Sequence, residues 1–254
     1  MAVALGALFA AAIAIAGYRT RSLSLDGAIA AFAVGTIVFA CAQWRGAAIL
    51  LAFFVPSVLL TRMGRERKMR LGGAHEGKAR NAWQVLANGG VAALCALATL
   101  HFGALFAVAF AGAFAAASAD TWGTEIGTLA RVRPVSILTF RPIETGLSGG
   151  ITFQGSVATI AGALFVAAVA SLVRFAPLLA VAAGGITGAL LDSLLGASLQ
   201  ALRWCPSCQC ECETSRHRCG TPTTPRRGVG WLQNDAVNFC ATLGGALVAA
   251  LAAR

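Results

Sequence analysis

Asp120, Glu125, Asp192 and Asp235 are carboxylates placed at the edges of long apolar stretches or inside them, each with hydroxyl or amide neighbours. An ionisable side chain is costly to put into lipid, so in such surroundings it marks a functional site with partners. Oxygen-rich groups of this kind suit Mg²⁺, a hard cation usually shared between one or two carboxylates and the phosphates of a substrate. Asp120, Asp192 and Asp235 are the expected ligands, with Glu125 as a further one. The run Ala119-Asp120-Thr121-Trp122-Gly123-Thr124-Glu125-Ile126-Gly127 carries a geometric condition. Positions 120 and 125 lie roughly 140° apart around an ideal helix, so both face one ion only if the helix unwinds near Gly123. In the last apolar stretch Asn234 and Asn238 stand one turn apart, and Asp235 is read between them on nearly the same side. Helix capping by Asn234 or Asp235 is the plainer alternative.

Groups able to hold phosphate lie close by in the sequence. Lys78 and Arg80 precede Asn81, Gln84 and Asn88, and a cation there neutralises phosphate, although basic loops are also ordinary in membrane proteins. The stretch from Thr145 to Gly155 places Gly146, Ser148, Gly149 and Gly150 directly before an apolar run. Glycines let the backbone approach a ligand, and free N–H groups at a helix start favour an anion. No Gly-Lys-Ser/Thr follows, so this is not a Walker A loop, and an ordinary turn with an N-cap uses the same residues. Beside Asp192, the residues Ser193, Gly196, Ala197 and Gln200 recur at helical spacing, and Ser193 and Gln200 can equally join helices by hydrogen bonds.

A different chemistry is written between 203 and 228. Cys205-x-x-Cys208 followed by His217-x-Cys219 supplies four soft ligands, the usual number for a closed structural Zn²⁺ site. Cys210 and Cys212 are surplus and leave the ligand choice open, with a free-thiol or redox loop as the alternative. Cys41, Cys95 and Cys240 read as small packing residues in spans, His101 as a residue of an outer loop and His75 as a solvated one.

The elements that must position these groups follow from composition. With 57% hydrophobic and 12% charged residues, the 254-residue chain cannot hide its apolar surface inside a soluble globule. Apolar runs of about the 17 to 25 residues that cross a bilayer occur near 2–17, 25–42, 46–61, 82–101, 103–119, 151–173, 178–200 and 231–253. The expected fold is therefore all-α: a single transmembrane helical bundle over 1–254 with about eight spans, and a small Cys/His-rich loop, 203–228, inserted before the last helix. If all eight cross, one set of loops holds 17 of the 20 Lys and Arg, and only Arg45, Arg174 and Arg254 remain on the other side. The positive-inside rule then places the long loops in the cytoplasm and both termini outside. The first two runs are the weakest spans and can pair as a re-entrant hairpin. The net charge of +10 comes from these loops rather than from one basic face, which argues against nucleic acid as a partner. A cytoplasmic loop also argues against disulfides among its cysteines.

Taken together, Lys78 to Gly90, Ala119 to Gly127, Thr145 to Gly155, Asp192 to Gln200, His217 to Gly220 and Asn234-Asp235-Ala236-Val237-Asn238 resemble one family. It is the integral membrane family that includes plant phytyl-phosphate kinase of the tocopherol pathway and a human transmembrane homologue. The resemblance implies transfer of a phosphoryl group from a nucleotide, CTP above all, to an isoprenyl monophosphate. The expected partners are thus a nucleoside triphosphate, an isoprenyl monophosphate and membrane lipid, with Mg²⁺ as cofactor and Zn²⁺ as a structural metal. Asp120, Glu125, Asp192 and Asp235 would be the catalytic carboxylates. Lys78, Arg80, Asn88, Gly146, Ser148, Gly149, Gly150, Asn234 and Asn238 would bind phosphate. The competing readings are a cation-coupled transporter and a metal-binding membrane scaffold.

Overall fold

Long runs of Ala, Leu, Val and Phe have good helix propensity, and in lipid a helix also satisfies every backbone group within itself. The computed structural model describes residues 2–66, 68 and 79–254, and in these it places seven helices. They are α1 (Ala2–Arg19), α2 (Leu25–Arg62), α3 (Ala82–Phe102), α4 (Ala104–Leu129), α5 (Phe153–Leu172), α6 (Leu178–Ser198) and α7 (Asn234–Ala252). Among the described residues six, α2 to α7, are long and apolar enough to cross a membrane, and α1 is a shorter apolar helix packed on α2.

Side chains that compete with the backbone set the helix starts. Ser24 accepts the Gly27 N–H at the head of α2, and Thr152 accepts that of Gly155 at the head of α5. Asn81 and Gln84 exchange reciprocal bonds at the head of α3, a capping box.

Helix α2 is not one rod. Gln43 has φ 52° and ψ −153°, outside the helical region. A straight helix of 38 residues would hold its ends about 57 Å apart. Instead Arg62, its last residue, donates to Ser22 Oγ at 2.8 Å and to the Thr20 carbonyl at 3.1 Å, just before its start. The chain therefore doubles back at Gln43, where the apolar runs 25–42 and 46–61 meet.

Helix α4 is the axis. From Val108 to Ala119 every residue is buried, the mark of a helix surrounded on all sides, and it packs on α2, α3, α5, α6 and α7. Small residues allow this: a Cβ on Gly188 of α6 would fall 2.5 Å from Ala116 Cβ, and one on Gly184 would fall 2.4 Å from the Gly245 carbonyl oxygen. Close approach by small residues is how helices associate where lipid removes any hydrophobic drive. The outward side chains, Leu8, Ile29, Leu94 and Leu247 among them, are large and exposed, as a lipid-facing surface requires.

The expectation of an all-α chain needs one correction, because the loops carry two small antiparallel sheets. Strand β1 (Val135–Ser136) pairs with β2 (Gly150–Ile151), and β3 (Leu202–Cys205) lies between β4 (Cys210–Cys212) and β5 (Thr224–Arg227). Both lie outside the helical bundle, where the cysteine turns and Gly-rich segments cannot continue a helix.

Candidate active site

The segments around 22, 62, 80, 148 and 213 meet at one end of the bundle. The Arg80 N–H donates to the Ser22 carbonyl at 2.9 Å, the Thr61 hydroxyl donates to Glu125 at 2.6 Å, and the Ser148 N–H donates to Glu213 at 2.6 Å. Among them a cavity of about 420 Å³ opens between the start of α3, the end of α4, the 145–152 turn, α6 and the start of α7. Its wall holds Arg80, Asn88, Asp120, Glu125, Gly146, Ser148, Gly149, Gly150, Asp192, Asn234 and Asn238, all expected from the sequence. Lys78 lies outside the described residues.

Asp192 reaches this wall from the interior of α6, and its Oδ2 is buried without a hydrogen-bond partner. The charges that act on it are Asp120 and Glu213. A buried carboxylate oxygen with no donor, facing other carboxylates, is expensive unless a cation joins them. Asp120 and Asp192 together offer carboxylate oxygens of the kind a hard cation takes.

Glu125 does something else. Helix α4 runs unbroken to Leu129, so the unwinding at Gly123 that would bring positions 120 and 125 together does not occur. Gly123 instead presses on α5, where a Cβ would stand 2.2 Å from Thr159 Oγ1. Glu125 therefore turns to the α2 end: Oε1 accepts from Thr61 and Oε2 pairs with Lys68 at 2.5 Å. Arg80 donates to the same Thr61 hydroxyl at 3.3 Å. Burial pulls the Arg80 pKa down while Glu125 pulls it back up, and a guanidinium keeps its charge at neutral pH.

Asp235 is placed differently from its two neighbours. Asn234 and Asn238 line the cavity one turn apart, but Asp235 does not, because one residue along a helix is about 100° of rotation. It sits in the first turn of α7, where a carboxylate complements the helix dipole.

The glycine turn takes the form its residues demand, with Gly146 at φ 95° and Gly149 at φ 79°, a region open mainly to glycine. Its Ser148 amide already holds an anion, the carboxylate of Glu213. Gln200, 2% exposed, donates to both Ser148 Oγ at 2.8 Å and Glu213 at 2.9 Å. Glu213 was not legible as a site residue, since 65 positions separate it from Ser148 and its neighbours are cysteines.

In the small sheet, the ligand atoms of Cys205, Cys208, His217 and Cys219 lie within 4.8 Å of one another. Three sulfurs and one imidazole nitrogen suit a tetrahedral metal such as zinc. Every cysteine of this loop is a free thiol. Hydrogen bonds with Thr221 and His217 hold the Cys219 thiol down to about 5, whereas hydrogen bonds with Cys219 and Cys205, together with slight desolvation, push the exposed Cys208 up to about 12. Of the surplus pair, Cys210 sits 3.7 Å from the Nε2 of His217, and Cys212 bonds a backbone carbonyl instead.

Helices built for lipid and a polar cavity at one end define a polytopic integral membrane protein. The chain belongs to the family described as integral membrane protein DUF92, which it matches over residues 8–246. It is 33% identical to Protein PGR of Arabidopsis thaliana, over 91% of this chain and 89% of that one. It is 30% identical to an uncharacterized membrane protein of Methanocaldococcus jannaschii, over 92% and 87%. Protein VTE6, chloroplastic, of Arabidopsis thaliana is 25% identical over 90% of this chain and 65% of its own length. No solved structure matches the chain.

Proposed function

We propose that this is a Mg²⁺-dependent phosphotransferase that moves the terminal phosphoryl group of a nucleotide, CTP by its resemblance to phytyl-phosphate kinase, onto an isoprenyl monophosphate. The observation that carries the reading is the orphaned buried oxygen of Asp192 beside Asp120, in a cavity that also offers Arg80, amide side chains and backbone donors. With Glu125 paired to Lys68, the remaining wall carries, among the described residues, Asp120, Asp192 and Glu213 against Arg80, a balance that favours entry of a polyanion together with a cation. Bound there, Mg²⁺ would neutralise charge developing on the phosphates.

Asp120 and Asp192 would hold that cation, Arg80 and the Ser148 turn would fix phosphate oxygens, and Asn88, Asn234 and Asn238 would orient them. An acceptor phosphate oxygen attacks the terminal phosphorus, the bond to the bridging oxygen breaks, and a nucleoside diphosphate leaves while the prenyl diphosphate forms. The acceptor is already anionic, so the chain need supply no strong base. Positioning and charge neutralisation carry the rate.

In this reading the two limbs of α2 cross separately, giving eight crossings with both termini outside and the cavity open to the cytoplasm. The gathering of the basic loops at the cavity's end supports that orientation. The zinc-like tetrad serves as a structural clasp. A transporter would need a polar path through the bundle, but α4 is Ala, Phe, Val and Gly where it is buried from Val108 to Phe114. The test is incubation of purified protein with labelled CTP or ATP and a panel of prenyl monophosphates. Asp192→Asn should lower kcat at least ~100-fold with unchanged folding; near wild-type turnover by that variant sinks the proposal.

A further inference from the structure

We infer that Ser148 and Gln200 form a phosphate subsite that Glu213 occupies as a built-in surrogate, and that an incoming phosphate opens the site by displacing it. This rests on the phosphotransferase reading only for the identity of the natural ligand.

Glu213 uses both oxygens. Oε1 takes the Ser148 backbone N–H at 2.6 Å, while Oε2 takes the Ser148 hydroxyl at 3.0 Å and the Gln200 amide at 2.9 Å. A backbone N–H, a hydroxyl and a side-chain amide converging on a planar anion also suit two oxygens of a phosphate. The donors are prepared in advance. Gly149 is held at φ 79° against α6, where a Cβ would lie 2.5 Å from Ala197 Cβ, and Gln200 is almost fully buried with its other amide atom, Oε1, lacking a partner.

Two anions cannot share these three donors. Glu213 also belongs to the group of carboxylates acting on Asp192, so its departure removes one negative charge from the place where phosphate must arrive. The carboxylate is carried on the loop between Cys208 and His217, flanked on both sides by residues of the tetrad. The cysteine loop is thus more than a brace: it delivers the residue that keeps the cradle filled until substrate comes.

The experiment uses the full chain in detergent with Mg²⁺ and radiolabelled pyrophosphate as the probe, in equilibrium dialysis. Glu213→Gln weakens the charge-assisted bonds that compete with the probe, so its affinity should rise by about tenfold. Gln200→Leu should weaken binding in both backgrounds. Unchanged or weaker binding by Glu213→Gln overturns the inference. A second measurement needs no variant: on adding pyrophosphate to the wild-type protein, amide hydrogen exchange in peptides covering 209–215 should rise. If those peptides stay equally protected, Glu213 is a structural tether and the inference falls. The two readings fail separately, because tighter pyrophosphate binding by Glu213→Gln with no prenyl-phosphate turnover would leave the subsite and remove the kinase.

Discussion

Lys68 and Glu125 form a largely buried ion pair at the wall of the cavity. Removing one partner leaves the other desolvated and unpaired, which costs more than removing both. Lys68→Met should lower stability by about 2 kcal/mol, and Lys68→Met with Glu125→Gln should recover at least half of that. Thermal melts of the purified variants decide the matter. If the double variant is as unstable as the sum of the singles, the pair is not coupled. The thiols of the cysteine loop make a second prediction at this scale. In metal-free protein Cys219 is a thiolate above pH 5 or so, while Cys208 stays protonated until about pH 12. At pH 7 iodoacetamide should therefore label Cys219 at least ~10 times faster than Cys208, with the absolute rate at Cys219 falling as the pH drops below 5 and the preference narrowing as the pH rises toward 12. Mass spectrometry of the peptides reads the ratio, and added Zn²⁺ should protect both. Equal labelling would remove the asymmetry that the hydrogen bonds around Cys219 imply.

Between elements, two contacts decide whether the carboxylates can meet at all. Gly188 lets α6 lie against α4 and α7, the helices that carry Asp120 and Asn234, with Ala116 Cβ and the Ala241 carbonyl oxygen 2.5 and 2.7 Å from where a Cβ would be. Neither neighbour is a flexible chain end that can swing away. Gly188→Val should destabilise the bundle by at least ~3 kcal/mol and abolish pyrophosphate binding along with it. Gln43 makes the opposite case, since its φ and ψ fall close to a region used almost only by glycine. Gln43→Gly should raise stability by about 1 kcal/mol, and a lower melting temperature would mean the reversal is not strained.

Over the whole molecule, the sequence was most informative where lipid imposes the cost. The eight apolar runs and the placement of Asp120 and Asp192 follow from the penalty for polar groups in hydrocarbon, a local signal that needs no knowledge of the fold. The boundary between the second and third runs falls beside Gln43 for the same reason. Rotation about helix axes is harder to read from sequence: Asn234 and Asn238 line the cavity while Asp235, one residue's turn away, is not among its lining residues, and an intact helix keeps Glu125 from Asp120. Glu213 was invisible because its role depends on a contact across 65 residues between two loops, which leaves no periodic trace. The gathered charge of the loops can be tested directly. With any metal first removed by a chelator, a membrane-impermeant maleimide should reach Cys219 in inside-out vesicles and not in intact cells; labelling from outside would reverse the orientation.

At the end away from the cavity the connections are short: the reversal at Gln43, Gly103 alone between α3 and α4, and residues 173–177 between α5 and α6. The described cavity opens at the opposite end, away from the leaflet these bends face. A lipid acceptor whose head faces that leaflet would first have to be flipped across, and the supply of heads on the near side would then set how fast this protein can work in a cell.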